Sequence, residues 1–154
     1  MVAWWLGCRK YKTIGPDKVN QVRHLLMFKD AATVRAHMAR HGRLLREKFA
    51  AVEQTFRDRL AGLKGVEWST PAGGYFISLE VPVGLARRVV DLASQANVKM
   101  PPAGATHCQG HDPSERHLRI APSHLELAEV QHAAEVIALS VMLAIAETAE
   151  GVTA

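Results

Sequence analysis

The sequence predicts an α+β domain, a small sheet covered on one face by helices, on three observations. Apolar residues at helical spacing run from Val34 to Leu60. Short strand-like runs at 66–68, 75–80, 98–100 and 117–121 are bounded by glycine, proline or polar turns. A second helical stripe follows Ser123. The order helix, strands, helix, strand, loop, strand, helix packs as layers around one core. A chain of 154 residues, 48% apolar and 22% charged, is long enough to bury such a core.

The elements follow in chain order. Met1-Val2-Ala3-Trp4-Trp5-Leu6-Gly7 is apolar, but its basic residues come after it and it is too short to span a bilayer, so it reads as a helix piece of a larger core rather than a leader. Lys12-Thr13-Ile14-Gly15-Pro16-Asp17 is a turn, with Asp17 able to cap a short helix carrying Val19, Val22, Leu25 and Leu26. Asp30 is the N-cap of a long helix whose stripe is Val34, Met38, Leu45, Phe49, Val52, Phe56 and Leu60; His41-Gly42 fills its one gap, and Gly62 and Gly65 stop it. Val66-Glu67-Trp68 and Tyr75–Glu80 form a strand pair across the turn at 70–74, with Tyr75, Ile77 and Leu79 on one face and Phe76, Ser78 and Glu80 on the other. Leu85, Val89, Leu92, Ala93 and Ala96 mark a second helix ending near Asn97. Val98-Lys99-Met100 reads as a further strand, cut by Pro101-Pro102. A polar loop from Ala103 to Glu115 leads to the strand His117–Ala121. Ser123 and Glu126 then match a capping box, opening a helix with Leu127, Val130, Ala134, Ile137, Val141 and Ala144 and a frayed tail from Thr148.

Charge and cysteine content narrow the function. Fourteen basic and five acidic residues lie between Arg9 and Lys64; beyond Lys64 there are five and ten, leaving +4 in all. Arg35, Arg40, Arg43, Arg46, Arg57 and Arg59 are spread along the long helix among Glu47, Glu53 and Asp58, which describes a solvated helix face, and without interleaved aromatics the chain reads as binding no nucleic acid. Cys8 and Cys108 form no CxxC pattern and read as free thiols of a reducing cytosol, so the expected location is cytoplasmic.

Three features carry possible chemistry. Gly73-Gly74 belongs to neither a dinucleotide nor a P-loop pattern and reads as a tight turn. His107, Cys108 and His111 share one loop as H-C-x-x-H, with His117 and His124 nearby; zinc would accept these residue types, but the spacing matches no established site and no metal is assigned. Arg119 lies between Leu118 and Ile120 on a strand that otherwise reads as buried. A buried guanidinium needs a partner, and its planar fork fits a carboxylate, either an acidic side chain or a ligand. By residue type alone the structural ion pair is favoured.

Three stretches taken in order change that balance: Thr13-Ile14-Gly15-Pro16-Asp17-Lys18-Val19-Asn20-Gln21, Pro71-Ala72-Gly73-Gly74-Tyr75-Phe76-Ile77-Ser78-Leu79, and Pro102-Ala103-Gly104-Ala105-Thr106 followed by Arg119-Ile120-Ala121-Pro122-Ser123. Together they resemble the C-terminal part of fold-type I pyridoxal-phosphate-dependent aminotransferases, in particular the bacterial aspartate aminotransferases sometimes called type Ic, from Val2 to about Glu147. The resemblance implies the small C-terminal domain over 30–154, with 1–29 as a lead-in from the large domain and the interdomain helix.

It also implies transamination between an amino acid and a 2-oxo acid, of aspartate type, with pyridoxal 5'-phosphate as cofactor. Arg119 would then be the substrate-binding residue for the α-carboxylate. The Schiff-base lysine falls in a segment upstream of the part matched by Val2-Ala3-Trp4-Trp5-Leu6. None of Lys10, Lys12, Lys18, Lys29, Lys48, Lys64 and Lys99 has a matching context, so no catalytic or cofactor-binding residue is assigned. The implied partners are small-molecule substrates, the N-terminal large domain and, in the complete enzyme, a second copy, with no membrane. The chain departs from the family pattern at His107-Cys108-Gln109 and at His124, beside the implied substrate loop, and Met1 falls within a helix of the large domain, as in a truncated or split frame. The competing reading is a non-catalytic interaction or regulatory module derived from an aminotransferase.

Overall fold

The computed structural model describes residues 1–9, 12 and 15–151. Lys10, Thr13 and Ile14, which belong to the sequence motifs above, lie outside the described residues, as does the tail from residue 152. The chain divides into two compact units, Met1–His41 and Gly42–Ala154.

The first unit contains α1 (Val2–Arg9), α2 (Lys18–Met27) and the start of α3 (Ala31–Leu60). Asp17 caps α2 as expected, accepting the Asn20 N–H at 3.0 Å. Asp30 caps α3: its Oδ1 accepts the Thr33 N–H at 2.7 Å, while the Thr33 hydroxyl oxygen accepts the Asp30 N–H at 3.1 Å. This reciprocal pair satisfies two backbone donors at one helix start. α1 and α2 bury no residue, and Val19, Val22, Leu25 and Leu26 are all exposed. α3 continues through His41 and Gly42 without a break.

The second unit holds the core. Its sheet has the order β1-β2-β3, all antiparallel, with β1 at Glu67–Trp68, β2 at Ile77–Glu80 and β3 at His117–Ile120. Ile77, Leu79, Leu118 and Ile120 share one face and are buried with Val52, Phe56 and Leu60 of α3, Val89 of α4 (Ala86–Gln95), and Val130, Ala134, Ile137 and Val141 of α5 (Leu127–Gly151). The Phe56 ring meets Trp68 of β1 edge-on at 5.9 Å, locking α3 to the sheet. The sheet is thus covered by helices on one face, as predicted.

α5 is long and apolar enough to cross a membrane by length and composition. Here it lays Val130, Ala134, Ile137, Ala138, Val141 and Ala144 into the core and is pinned by ion pairs from Arg59 to Glu135 and from Arg88 to Glu147. Leu139, Met142 and Leu143 stay exposed on its other side.

Four local expectations are corrected. Val98–Met100 joins no ladder among the described residues: the Val98 N–H closes the end of α4 on the Ala93 carbonyl, and two prolines follow with no N–H to give. The strand predicted at 75–80 starts at Ile77, leaving Tyr75 and Phe76 about half exposed. The capping box at α5 lies one turn later than Ser123, with the Glu129 carboxylate accepting the Glu126 N–H at 3.0 Å. The helix also runs through Thr148, whose hydroxyl donates to the Ala144 carbonyl.

Candidate functional site

Alternation along β2 and β3 turns Ser78, Glu80, His117 and Arg119 to the sheet face opposite the core. The register pairs Ser78 with Arg119 and Glu80 with His117. Two adjoining sites result, one at each end of this polar strip.

At one end stands Arg119, half-buried. Its guanidinium carbon lies 4.6 Å from the centre of the Phe76 ring, a cation–π contact that orients the planar fork. Its Nε is buried without a hydrogen-bond partner, and among the described residues it forms no ion pair. The other arginines of this unit near carboxylates behave differently: Arg57, Arg59, Arg87, Arg88 and Arg116 each hold a glutamate. The internal ion pair favoured by residue type alone is therefore missing. A half-buried guanidinium with an orphaned N–H retains donors suited to an external carboxylate.

A cavity of about 750 Å³ borders the same strand. Its walls include Val52, Val98, Met100, Ile120, Val130 and Ile137 together with Lys99, Arg119 and His124. Phe76, beneath the guanidinium, is not among its lining residues. Arg119 itself is, so the cavity reaches the residue that carries the open guanidinium.

At the other end Asp112 organises the long loop. Only 3% exposed, its carboxylate accepts the backbone N–H groups of Ser114, Arg116 and His117 and lies 2.9 Å from His117 Nδ1. Burial pushes its pKa up, but the N–H groups of His117 and Arg116, the His117 ring and the Ser114 N–H together outweigh this and hold the carboxyl well below the usual carboxylate range. The His107 ring stands 5.2 Å from that of His117, with its Nε2 3.7 Å from Asp112 Oδ1. The loop doubles back so tightly that a Cβ on Gly104, whose φ is +88°, would come within 2.3 Å of the Gly110 carbonyl oxygen.

The H-C-x-x-H residues weighed above do not converge: Cys108 and His111 are exposed, and His107 meets Asp112 and His117 instead. Sequence reading missed Asp112 and Phe76. An aspartate before proline is a turn signal, and Asp112-Pro113 carried it, but which distant N–H groups the carboxylate would collect is not encoded locally.

Comparison with known proteins gives a consistent result. The family model described as aspartate amino-transferase matches residues 1–152. An aspartate aminotransferase of Corynebacterium glutamicum is 42% identical over 144 residues, covering 94% of this chain and 33% of its own length. The crystal structure of an aspartate transaminase from the same species superposes with a TM-score of 0.84 at 41% identity, over 95% of this chain and 34% of that one. The α-aminoadipate aminotransferase of Thermus thermophilus, solved with N-(5'-phosphopyridoxyl)-L-leucine, shares the fold at 22% identity and a TM-score of 0.72, over 91% and 35%. The chain spans about a third of the length of the relatives it matches.

Proposed function

Because this chain belongs to the aspartate aminotransferase family, we propose that it is the small-domain part of a pyridoxal-phosphate-dependent transaminase, with Arg119 as its grip on the substrate α-carboxylate. The observation that carries the reading is the unpaired state of that guanidinium, which lies on the polar sheet face over Phe76 with its Nε unsatisfied. A bidentate pairing would fix the amino acid in one orientation, and fixed orientation lowers the barrier to reaction at the neighbouring carbon.

Pyridoxal phosphate, when bound, supplies an electron sink for bonds at that carbon. The residues present do not fit that group by themselves. Holding it takes a lysine amine beside the carboxylate grip and a cluster of donors for its phosphate. Lys99 lines the cavity that Arg119 also borders, but it has no context matching the family's Schiff-base lysine segment. Gly73-Gly74 leads into a strand, with no helix start to offer its N–H groups. No catalytic step is therefore assigned to this chain alone. We propose that activity needs the further two thirds of length found in its relatives, whether fused or as a separate polypeptide, in a cytoplasmic homodimer acting on aspartate and 2-oxo acids.

The test is reductive trapping. The purified chain is incubated with pyridoxal phosphate, reduced with borohydride and analysed by peptide mass mapping. Only substoichiometric, scattered lysine modification and no transamination are expected. A single stoichiometric lysyl adduct accompanied by turnover would overturn the assignment.

A further inference from the structure

We propose that His107, Asp112 and His117 form a binding site for a divalent zinc-class ion at the end of the polar strip remote from Phe76. The inference does not rest on the transaminase reading. One candidate donor atom from each residue lies within 4.8 Å of the others. Two donors bound to one ion at about 2.1 Å stand roughly 3.0–3.4 Å apart in octahedral or tetrahedral geometry. His107 Nε2 and Asp112 Oδ1 are 3.7 Å apart, and His117 Nδ1 and Asp112 Oδ2 are 2.9 Å apart. Both separations lie near that range, and the two rings, each about a third exposed, are free to turn toward one ion.

The chemistry of the set agrees with the geometry. Two imidazoles and a carboxylate suit zinc, cobalt or nickel better than calcium or magnesium, which take oxygen donors. Asp112 is held rigidly by three backbone N–H groups, an outer shell of the kind that orients a ligating carboxylate. The hairpin of the loop, closed by Gly104 against Gly110, brings His107 to β3. Both rings are about a third exposed, giving an ion an entry path and leaving positions for water.

Because His117 and Arg119 lie on one strand face about 7 Å apart, the ion would also fix the strand end beside the guanidinium. His37 and His41, one turn apart on α3 with ring centroids 4.4 Å from each other, are the competing pair of imidazoles.

The test is zinc titration of the tag-free chain against a chromophoric chelator, repeated with cobalt to read its visible ligand-field bands. One ion per chain is expected, with a Kd of about 10 μM or tighter and a cobalt spectrum typical of nitrogen and oxygen ligands. H107A and H117A should each weaken binding by at least about 30-fold, whereas C108A, H111A and H41A leave it unchanged. Far-UV circular dichroism checks folding; if H117A unfolds, H107A, altered on a side chain about a third exposed, decides alone. Absence of binding below about 1 mM, or binding that survives H107A or is abolished by H41A, would overturn the site.

Discussion

Arg119 differs from its fellow arginines in what its surroundings leave undone. Glu53, Glu80, Glu115, Glu135 and Glu147 are engaged with Arg57, Arg116, Arg87, Arg59 and Arg88 in turn, while Arg119 makes no ion pair among the described residues and rests on the face of Phe76. Adding acetate or a dicarboxylate should shift the Arg119 Nε–H resonance in a ¹⁵N correlation spectrum, and Phe76→Leu should weaken the response. Arg119→Lys keeps the charge and loses the fork. In a transaminase completed with the remaining segments it should lower kcat/KM on the order of 100-fold, from misplacement of the substrate. An unchanged value would remove Arg119 from the substrate site.

Also at the residue scale, the N–H and hydroxyl of Thr33 hold the Asp30 carboxyl below its ordinary value. Because the folded pKa is depressed, the stabilisation of the α3 start is fully present above about pH 4, where an unfolded aspartate ionises, and is lost as the pH falls through the lower folded value. The Thr33 amide proton shift should therefore titrate with a midpoint below about 3.9, and a midpoint at or above that value would contradict the cap.

Elements explain where stability resides. α3 commits Val52, Phe56 and Leu60 to the core, and Phe56 also meets Trp68. Phe56→Ala should cost about 3–5 kcal/mol in urea unfolding of the second unit, through lost burial and the cavity left behind. Glu129→Ala removes the acceptor of one backbone N–H at the start of α5 and should cost about 0.5–1 kcal/mol, whereas Ser123→Ala should be close to neutral because Ser123 is not the cap. Equal effects of the two would restore the earlier capping box. The interruption at 98–100 follows the same logic: a segment whose first N–H closes a helix and whose end is two prolines has few donors for a ladder.

Across the whole molecule, buried surface is unevenly distributed. α1 and α2 bury nothing and expose Trp4, Trp5, Leu25 and Leu26, whereas the second unit encloses a continuous core. Amides of α1 and α2 should exchange with solvent at least about 100-fold faster than those of β2, β3 and the middle of α5. Comparable protection in both regions would show that α1 and α2 are packed in solution. The exposed side chains should also raise the fluorescence of an apolar dye, and the double change Leu25→Ser, Leu26→Ser should reduce it.

What the sequence by itself determined is whatever depends on neighbours a few residues away. Helical stripes, the Asp17 and Asp30 caps, the glycine stop after Leu60 and the alternation of Ile77, Leu79, Leu118 and Ile120 are local patterns, and all are present in the fold. The ordered motifs around Gly73-Gly74 and Arg119 were likewise enough to indicate the family. Tertiary structure alone decided which side chains meet. Residue type could not separate an arginine paired internally from one left open, because that depends on where every carboxylate of the unit ends up. Nor could spacing reveal that His107 joins Asp112 and His117 rather than Cys108 and His111, since the loop's reversal at Gly104 and Gly110 sets those distances through space and not along the chain.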